Sequence, residues 1–252
     1  MTTTTNQFGQ PVGFPVADWR PPMLPGNTAL QGRFCRLEPL SAERHADALW
    51  AAWQQPDPAT PGDGSGKARW TYLGGRPFND AASCHAWLQQ CSDAQDPRFM
   101  TVVATGSGDA LGVAAWLNIQ PEHGSVELGH LNFSPRLART PVATEALVLM
   151  MRHVFDLGYR RLEWKCDALN TPSRQAAQRL GLRFEGIFHQ HRVVNGHNRD
   201  SAWYALLDHE WRRLAPVFEC WLSPDNFDVD GRQRQALSTL TTAVLTPRPE
   251  PT

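Results

Sequence analysis

The stretch that decides the fold reads Glu127-Leu128-Gly129-His130-Leu131-Asn132-Phe133-Ser134-Pro135-Arg136-Leu137-Ala138-Arg139-Thr140-Pro141-Val142-Ala143-Thr144-Glu145-Ala146. Residues 126–133 read as a strand that stops at Ser134-Pro135. The pattern then changes period: Ala143, Leu147, Met150, Met151, Val154 and Phe155 make one apolar helical face between Pro141 and Leu157. Thr140 suits the N-cap, Pro141 the first helical position and Gly158 the close of the helix. A strand feeding a turn and then a helix start presents unpaired backbone N–H groups with the helix dipole behind them. That is an anion site, suited to a pyrophosphate. Every helix start has such groups, so the signal gains weight only from what surrounds it.

Upstream lie two more strands, Phe99 to Thr105 and Leu111 to Ile119, joined by Gly106-Ser107-Gly108-Asp109. Pro121 to Gly124 turns the chain back into the deciding strand, giving an antiparallel meander. Before it come a strand over 33–37 and a helix capped by Ser41, with Ala46, Leu49, Trp50 and Trp53 at helical spacing. A loop from Pro56 to Gly66 leads to a second helix, Ala81 to Cys91, striped by Cys84, Trp87, Leu88 and Cys91. Residues 1–31 are proline-rich with isolated Phe8, Phe14 and Trp19, so an extended arm is expected. It either lies along the domain with those aromatics as anchors or forms a disordered leader.

Downstream, Leu162, Trp164 and Cys166 alternate in a strand. A helix follows with Thr171 as cap, Pro172 first, Leu180 last and Gly181 as its stop. Phe184 to Val194 and Ser201 to Leu207 pair around Asn195-Gly196. Asp230 to Leu245 carries Ala236, Leu237, Leu240, Ala243 and Val244 at helical spacing. The class is α/β, with a mixed, mostly antiparallel sheet flanked by helices.

The bulk numbers exclude several classes. The chain has 252 residues, enough for one domain; 41% are apolar and 19% charged, as in soluble globular proteins. A formal charge of -1 implies no general pull toward nucleic acid or an anionic membrane. The five cysteines show no CxxC spacing and suit reduced thiols. The N-terminus has neither a basic start nor an apolar run, so a cytoplasmic protein is expected.

The ordered set of elements resembles the GNAT superfamily of N-acetyltransferases. The residues that carry the likeness are the stretch above, Asp167-Ala168-Leu169-Asn170-Thr171-Pro172-Ser173, and Arg179-Leu180-Gly181-Leu182-Arg183-Phe184-Glu185-Gly186. Gly32 to Leu40 and Trp203 to Trp211 are similar to the ribosomal-protein-alanine acetyltransferase (RimJ/RimL-like) branch. The resemblance spans residues 32–213, leaving residues 1–31 as an arm and 214–252 as a helical extension and tail.

The resemblance implies a GNAT fold and acyl transfer from acetyl-CoA, or a related acyl-CoA, to a small amine or a protein N-terminus, without a metal. A homodimer is possible on the same ground. Asn132 and Phe133 would offer backbone N–H groups to the thioester. Arg136, Ala138, Arg139, Thr140 and Val142 would form the pyrophosphate loop, with Asn170 and Ser173 beside the pantetheine arm. Arg139 and Pro141 stand where the family has small residues. Glycine lets backbone approach phosphate closely, and proline has no N–H to give. Either Arg139 offsets the loss with its guanidinium, or the chain is a non-catalytic acyl-CoA-binding or protein-interaction module.

Glu127 is the first candidate for the base that deprotonates the amine, and His130 the rival, since imidazole titrates near neutrality. Strict alternation puts the two on opposite faces, so both reach one cleft only across a bulge, as the family has. Glu127 in a plain ion pair is the competing reading. Tyr204 is a candidate general acid or else a buried aromatic. His189, His191 and His197 share a hairpin, but no carboxylate or cysteine in that run completes a metal set. Trp70 and Tyr72, near Gly74-Gly75, are candidates for an acceptor pocket. Acceptor choice is expected in residues 54–80 and the Val194–Asp200 hairpin tip.

Overall fold

The computed structural model describes residues 4–57, 67–73, 75 and 77–245. In chain order the elements are β1 (Thr4–Thr5), β2 (Pro11–Val12), β3 (Leu30–Gln31), β4 (Cys35–Pro39), α1 (Ala42–Trp53), α2 (Ala81–Asp93), β5 (Arg98–Ala104), β6 (Ala110–Gln120) and β7 (Ser125–Phe133). Then follow α3 (Pro141–Asp156), β8 (Arg161–Asp167), α4 (Thr171–Arg179), β9 (Arg183–Val194), β10 (His197–Leu207), α5 (Asp208–Trp221) and α6 (Leu237–Val244). Eight strands form one sheet in the order β3-β4-β5-β6-β7-β8-β10-β9. Every neighbouring pair in it is antiparallel except β7 and β8, which run parallel.

That one parallel pair shapes the molecule. Its register covers only Ser125–Glu127 against Arg161–Glu163. Past Glu127 the ladder between the two strands ends, and a gap opens between the C-terminal half of β7 and that of β8. Paired residues fix the faces of the sheet: Val126, Leu162, Trp164 and Tyr204 share one face, and Glu127, Glu163, Lys165 and Trp203 the other. The first face is covered by α3, α4 and α5, whose Met150, Ala177 and Leu214 join Leu162 and Trp164 in the larger core cluster. A smaller cluster forms where Leu49, Trp53 and Leu88 of α1 and α2 pack on Val113 and Ala115 of β6.

Local chemistry sets the helix ends. Ser41 caps α1 by accepting from the Arg44 N–H, and Asp80 caps α2 from the Ser83 N–H. In α4 the cap is Asn170 rather than Thr171, its Oδ1 accepting from the Ser173 N–H at 3.1 Å. Two further expectations change. The segment from Asp230 is helical only over Leu237–Val244. Asp228 takes the Asp230 and Arg232 N–H groups, Asn226 takes that of Gln235, and Gly231 is left-handed at φ 75°, so the stretch before it is a fixed loop. Helix α5 has no counterpart among the expected elements and runs straight through the expected boundary at residue 213. Trp211, Leu214, Phe218 and Trp221 bury its apolar stripe, while the ring of Pro216 faces solvent. That burial outweighs the roughly 3 kcal/mol that an internal proline costs.

The arm lies on the domain, held by one of its three aromatics. The Trp19 Nε1–H donates to the Glu122 carbonyl at 3.1 Å, under the Arg160 guanidinium. A side chain at Gly124 would strike this ring at 2.4 Å. Phe8 and Phe14 remain exposed, so they anchor nothing. The expected loop over 56–66 falls mostly outside the described residues, as does Gly74.

Candidate active site

The bulge expected in β7 is present. Asn132 pairs with Val113 and Gly129 with Ala115, so His130 and Leu131 together face Ala114. His130 takes the left-handed conformation, φ 50°, which costs a non-glycine residue on the order of 1 kcal/mol. This turn of the backbone brings its ring to the face that carries Glu127. The imidazole lies 5.2 Å from the Phe99 ring, is exposed, and makes no hydrogen bond to a described residue. Packing around the ring holds its pKa below the ordinary imidazole value, while the nearby Glu127 charge opposes that shift. His130 is therefore neutral at pH 7.

Glu127 is buried, with one oxygen committed. Its Oε2 accepts from Asn118 Nδ2 at 2.6 Å and meets Lys165 Nζ at 2.9 Å. Lys165 also lies 3.4 Å from Glu163 and 4.0 Å from the centre of the Trp203 ring. Oε1 has no such partner and points along Gly129, the residue before the bulge. Asn118 and Lys165 were invisible to sequence reasoning because both reach Glu127 from neighbouring strands.

The loop after β7 carries the candidate diphosphate site. Arg139 occupies the glycine position at φ 65°, a conformation that glycine adopts without strain. The Ala138 N–H is spent on the Ser134 carbonyl, so Ala138 offers nothing to a ligand. The Thr140 hydroxyl is spent as well: it accepts from the Ala143 N–H and donates to the Leu137 carbonyl. The Arg136, Arg139 and Val142 N–H groups have no partner among the described residues, and the last two sit at the start of α3. Free amides at a sixteen-residue helix N-terminus suit a phosphate despite Pro141. Both guanidiniums rest on carboxylates, Arg136 on Asp109 at 2.7 Å and Arg139 on Asp57 at 3.2 Å, and all but Asp57 are well exposed.

The Ser134 N–H donates to Leu111, so alternation along β7 turns the Phe133 N–H away from β6 and into the gap. The Asn132 backbone lies instead on the β6 side, where its carbonyl accepts from Trp53 Nε1 at 3.2 Å. Its buried side-chain Oδ1 has no hydrogen-bond partner among the described residues.

Other expected site residues are placed elsewhere. Tyr204 is fully buried on the face opposite Glu127, its hydroxyl accepting from Arg174 Nε at 3.1 Å, which removes it as an acid for an amine beside Glu127. Ser173 accepts from Trp164 Nε1 at 3.0 Å, and Asn170 is occupied with its cap, so each serves the α4 start. His189 pairs with Asp200, and His191 with Ser201. Among the described residues no group of three or more metal-ligating side chains converges. Trp70 is buried in an aromatic wall with Trp53, Phe78, Trp87 and Phe99 that ends at His130, whereas Tyr72 reaches out to the Leu169 carbonyl.

A single parallel pair that splays open, the bulge in its strand β7 and the free amides at the start of α3 lie together around one gap. The acetyltransferase (GNAT) domain family matches residues 35–183. The chain belongs to that family. A GCN5-related N-acetyltransferase from Brucella melitensis is 42% identical, with a TM-score of 0.84 over 90% of this chain and 100% of its own. A probable acetyltransferase of the GNAT family from Chromobacterium violaceum is 37% identical, with a TM-score of 0.72 over 81% of this chain and 98% of its own. At 17% identity and a TM-score of 0.58, over 71% and 99% of the two chains, the fold is shared with an acetyl transferase from Salmonella typhimurium. That protein modifies the N-terminal serine of a 50S ribosomal subunit protein. GNAT membership implies acetyl-CoA as co-substrate. No described helix is long and apolar enough to cross a membrane.

Proposed function

We propose that this GNAT protein moves an acetyl group from acetyl-CoA to a primary amine in a ternary complex in the cytoplasm, with His130 taking the proton from the amine. The observation that carries this reading is an exposed imidazole with no hydrogen-bond partner among the described residues, set beside a buried carboxylate at the open gap. A bound ammonium gives its proton to His130, and the neutral amine attacks the thioester carbonyl; the adduct then collapses with cleavage of the C–S bond, and CoA leaves as a thiolate that takes up the proton shed by the new amide nitrogen. Glu127, fixed by Lys165 and Asn118, favours the imidazolium that forms. The Phe133 N–H is assigned to the carbonyl oxygen as charge develops on it. The Arg136, Arg139 and Val142 amides, with the α3 dipole, are assigned to the diphosphate. Binding energy from the nucleotide end positions the thioester for attack.

The test is thiol titration of free CoA with acetyl-CoA and a panel of amines and N-terminal peptides. Thiol release with at least one acceptor is expected. Silence across the panel, despite a thermal shift of ~2.7 kcal/mol at a hundredfold excess of acetyl-CoA over its Kd, assigns the chain to the non-catalytic class. Only Pro141 and the occupied glycine position at Arg139 favour that second reading.

A further inference from the structure

The far end of the Glu127 face carries a charge arrangement that the transfer chemistry does not use. Arg199 of β10 and Arg192 of β9 are direct cross-strand partners. Like charges so placed repel each other. Among the described residues neither arginine has a carboxylate partner, and Arg199 Nε is buried without any hydrogen bond. His191 beside them is held below its ordinary pKa by burial and then by the charges of Arg192, Arg199 and Lys165. Trp203 Nε1, on the same face, is a second buried donor without an acceptor.

The acids nearby are already spent. Asp200 receives His189, Asn198 and the Gln190 N–H, and Asp167 caps the Leu169 N–H. Because the chain as a whole is formally at -1, this surplus of positive charge is local. Alternation along β10 puts Arg199, Ser201 and Trp203 on one face, and Trp203 lies against the Lys165 that holds Glu127. The patch and the reacting centre are therefore two ends of one surface.

Resting on the acyl-transfer reading, we infer that the acceptor is an acidic peptide, whose N-terminal amine reaches His130 while a carboxylate further along is received by Arg199 and Arg192. The spacing selects a peptide over a free amino acid. Arg199 lies four residues along β10 from Trp203, roughly 13 Å at the usual strand rise. An α-carboxylate sits beside its own amine and cannot reach from His130 past Trp203 to Arg199, whereas a side chain several residues along an extended peptide can. A carboxylate there would relieve the repulsion between the paired arginines.

The probes are two heptapeptides with free N-termini, one with glutamate and one with glutamine at positions three to five. Binding is measured by calorimetry in the presence of CoA, and turnover separately by thiol release with acetyl-CoA. The glutamate peptide is expected to bind about tenfold more tightly, the scale of one charged hydrogen bond. Arg199→Gln, and more weakly Arg192→Gln on the exposed edge, should erase that preference. Discrimination in binding without turnover leaves the anion site standing and overturns the acidic peptide as acceptor, while the amine panel decides the transfer reading separately. Turnover without discrimination, or a preference that survives in both variants, overturns the anion site and leaves the transfer reading intact. No binding and no turnover with either peptide overturns this proposal, while release with other amines still upholds the transferase.

Discussion

Glu145 and Glu127 are buried almost equally, at 4% and 6% exposure, and their surroundings differ in kind. Glu145, on the first turns of α3, accepts the Arg33, Phe34 and Cys35 N–H groups at 2.8, 2.6 and 2.8 Å. A side chain on Gly32 would collide with it at 2.4 Å. Both of its oxygens are consumed in tying α3 to the start of β4. Glu127 has one oxygen engaged and the other turned toward a bulge and an exposed histidine. Burial alone thus separates neither carboxylate from the other. The difference lies in which lone pairs the fold leaves unspent, and an unspent one beside a neutral base marks chemistry rather than architecture.

The comparison breaks most sharply at Glu145. Glu145→Ala strands three N–H groups and is expected to lower stability by about 3–5 kcal/mol, read as a fall in the urea midpoint at unchanged slope. A loss under 1 kcal/mol there would erase the distinction. Next comes His130→Ala, expected to reduce kcat/KM by roughly 100-fold while the urea midpoint barely moves. The neutral imidazole is the active form and its pKa is held below the ordinary value, so wild-type activity falls only on the acid side of the usual imidazole range. The variant, assayed with the same amine, should lack that acid limb; an unchanged profile would pass the role to another group.

Glu127→Gln keeps the shape and removes the charge. We expect about a tenfold loss in kcat/KM, and a stability loss of about 1 kcal/mol, because Lys165 retains Glu163. A stability loss as large as that of Glu145→Ala would class Glu127 with the structural carboxylates. The smallest effect belongs to the loop: Arg139→Gly should relieve left-handed strain and gain up to ~1 kcal/mol, offset in part by the looser unfolded chain. Thermal unfolding reads that change directly.

The fold was largely legible because its signals are local. Thr140, Pro141 and Gly158 bracket α3, Asn195-Gly196 makes the hairpin turn, and alternation marks Leu162, Trp164 and Cys166. Helix α5 escaped notice because Pro216 interrupts a stripe whose worth lies in what Trp211 and Phe218 touch. The site was legible only in outline. Glu127, His130 and the loop amides stand on one stretch of chain and could be named from it. Tyr204 and Ser173 could not be dismissed until Arg174 and Trp164 were seen to occupy them.

The sequence by itself determined the order of elements from β4 to β10, the caps of α1 and α3 and the family, since each depends on residues within a few positions of one another. Which carboxylate is anchored, which histidine is free and where two arginines face each other were decided by strand register and by the docking of α3 on the sheet. Lys165 meets Glu127 from 38 positions away, and Glu145 meets Cys35 from 110. Such pairings exist only once the sheet has closed, and no local pattern encodes them.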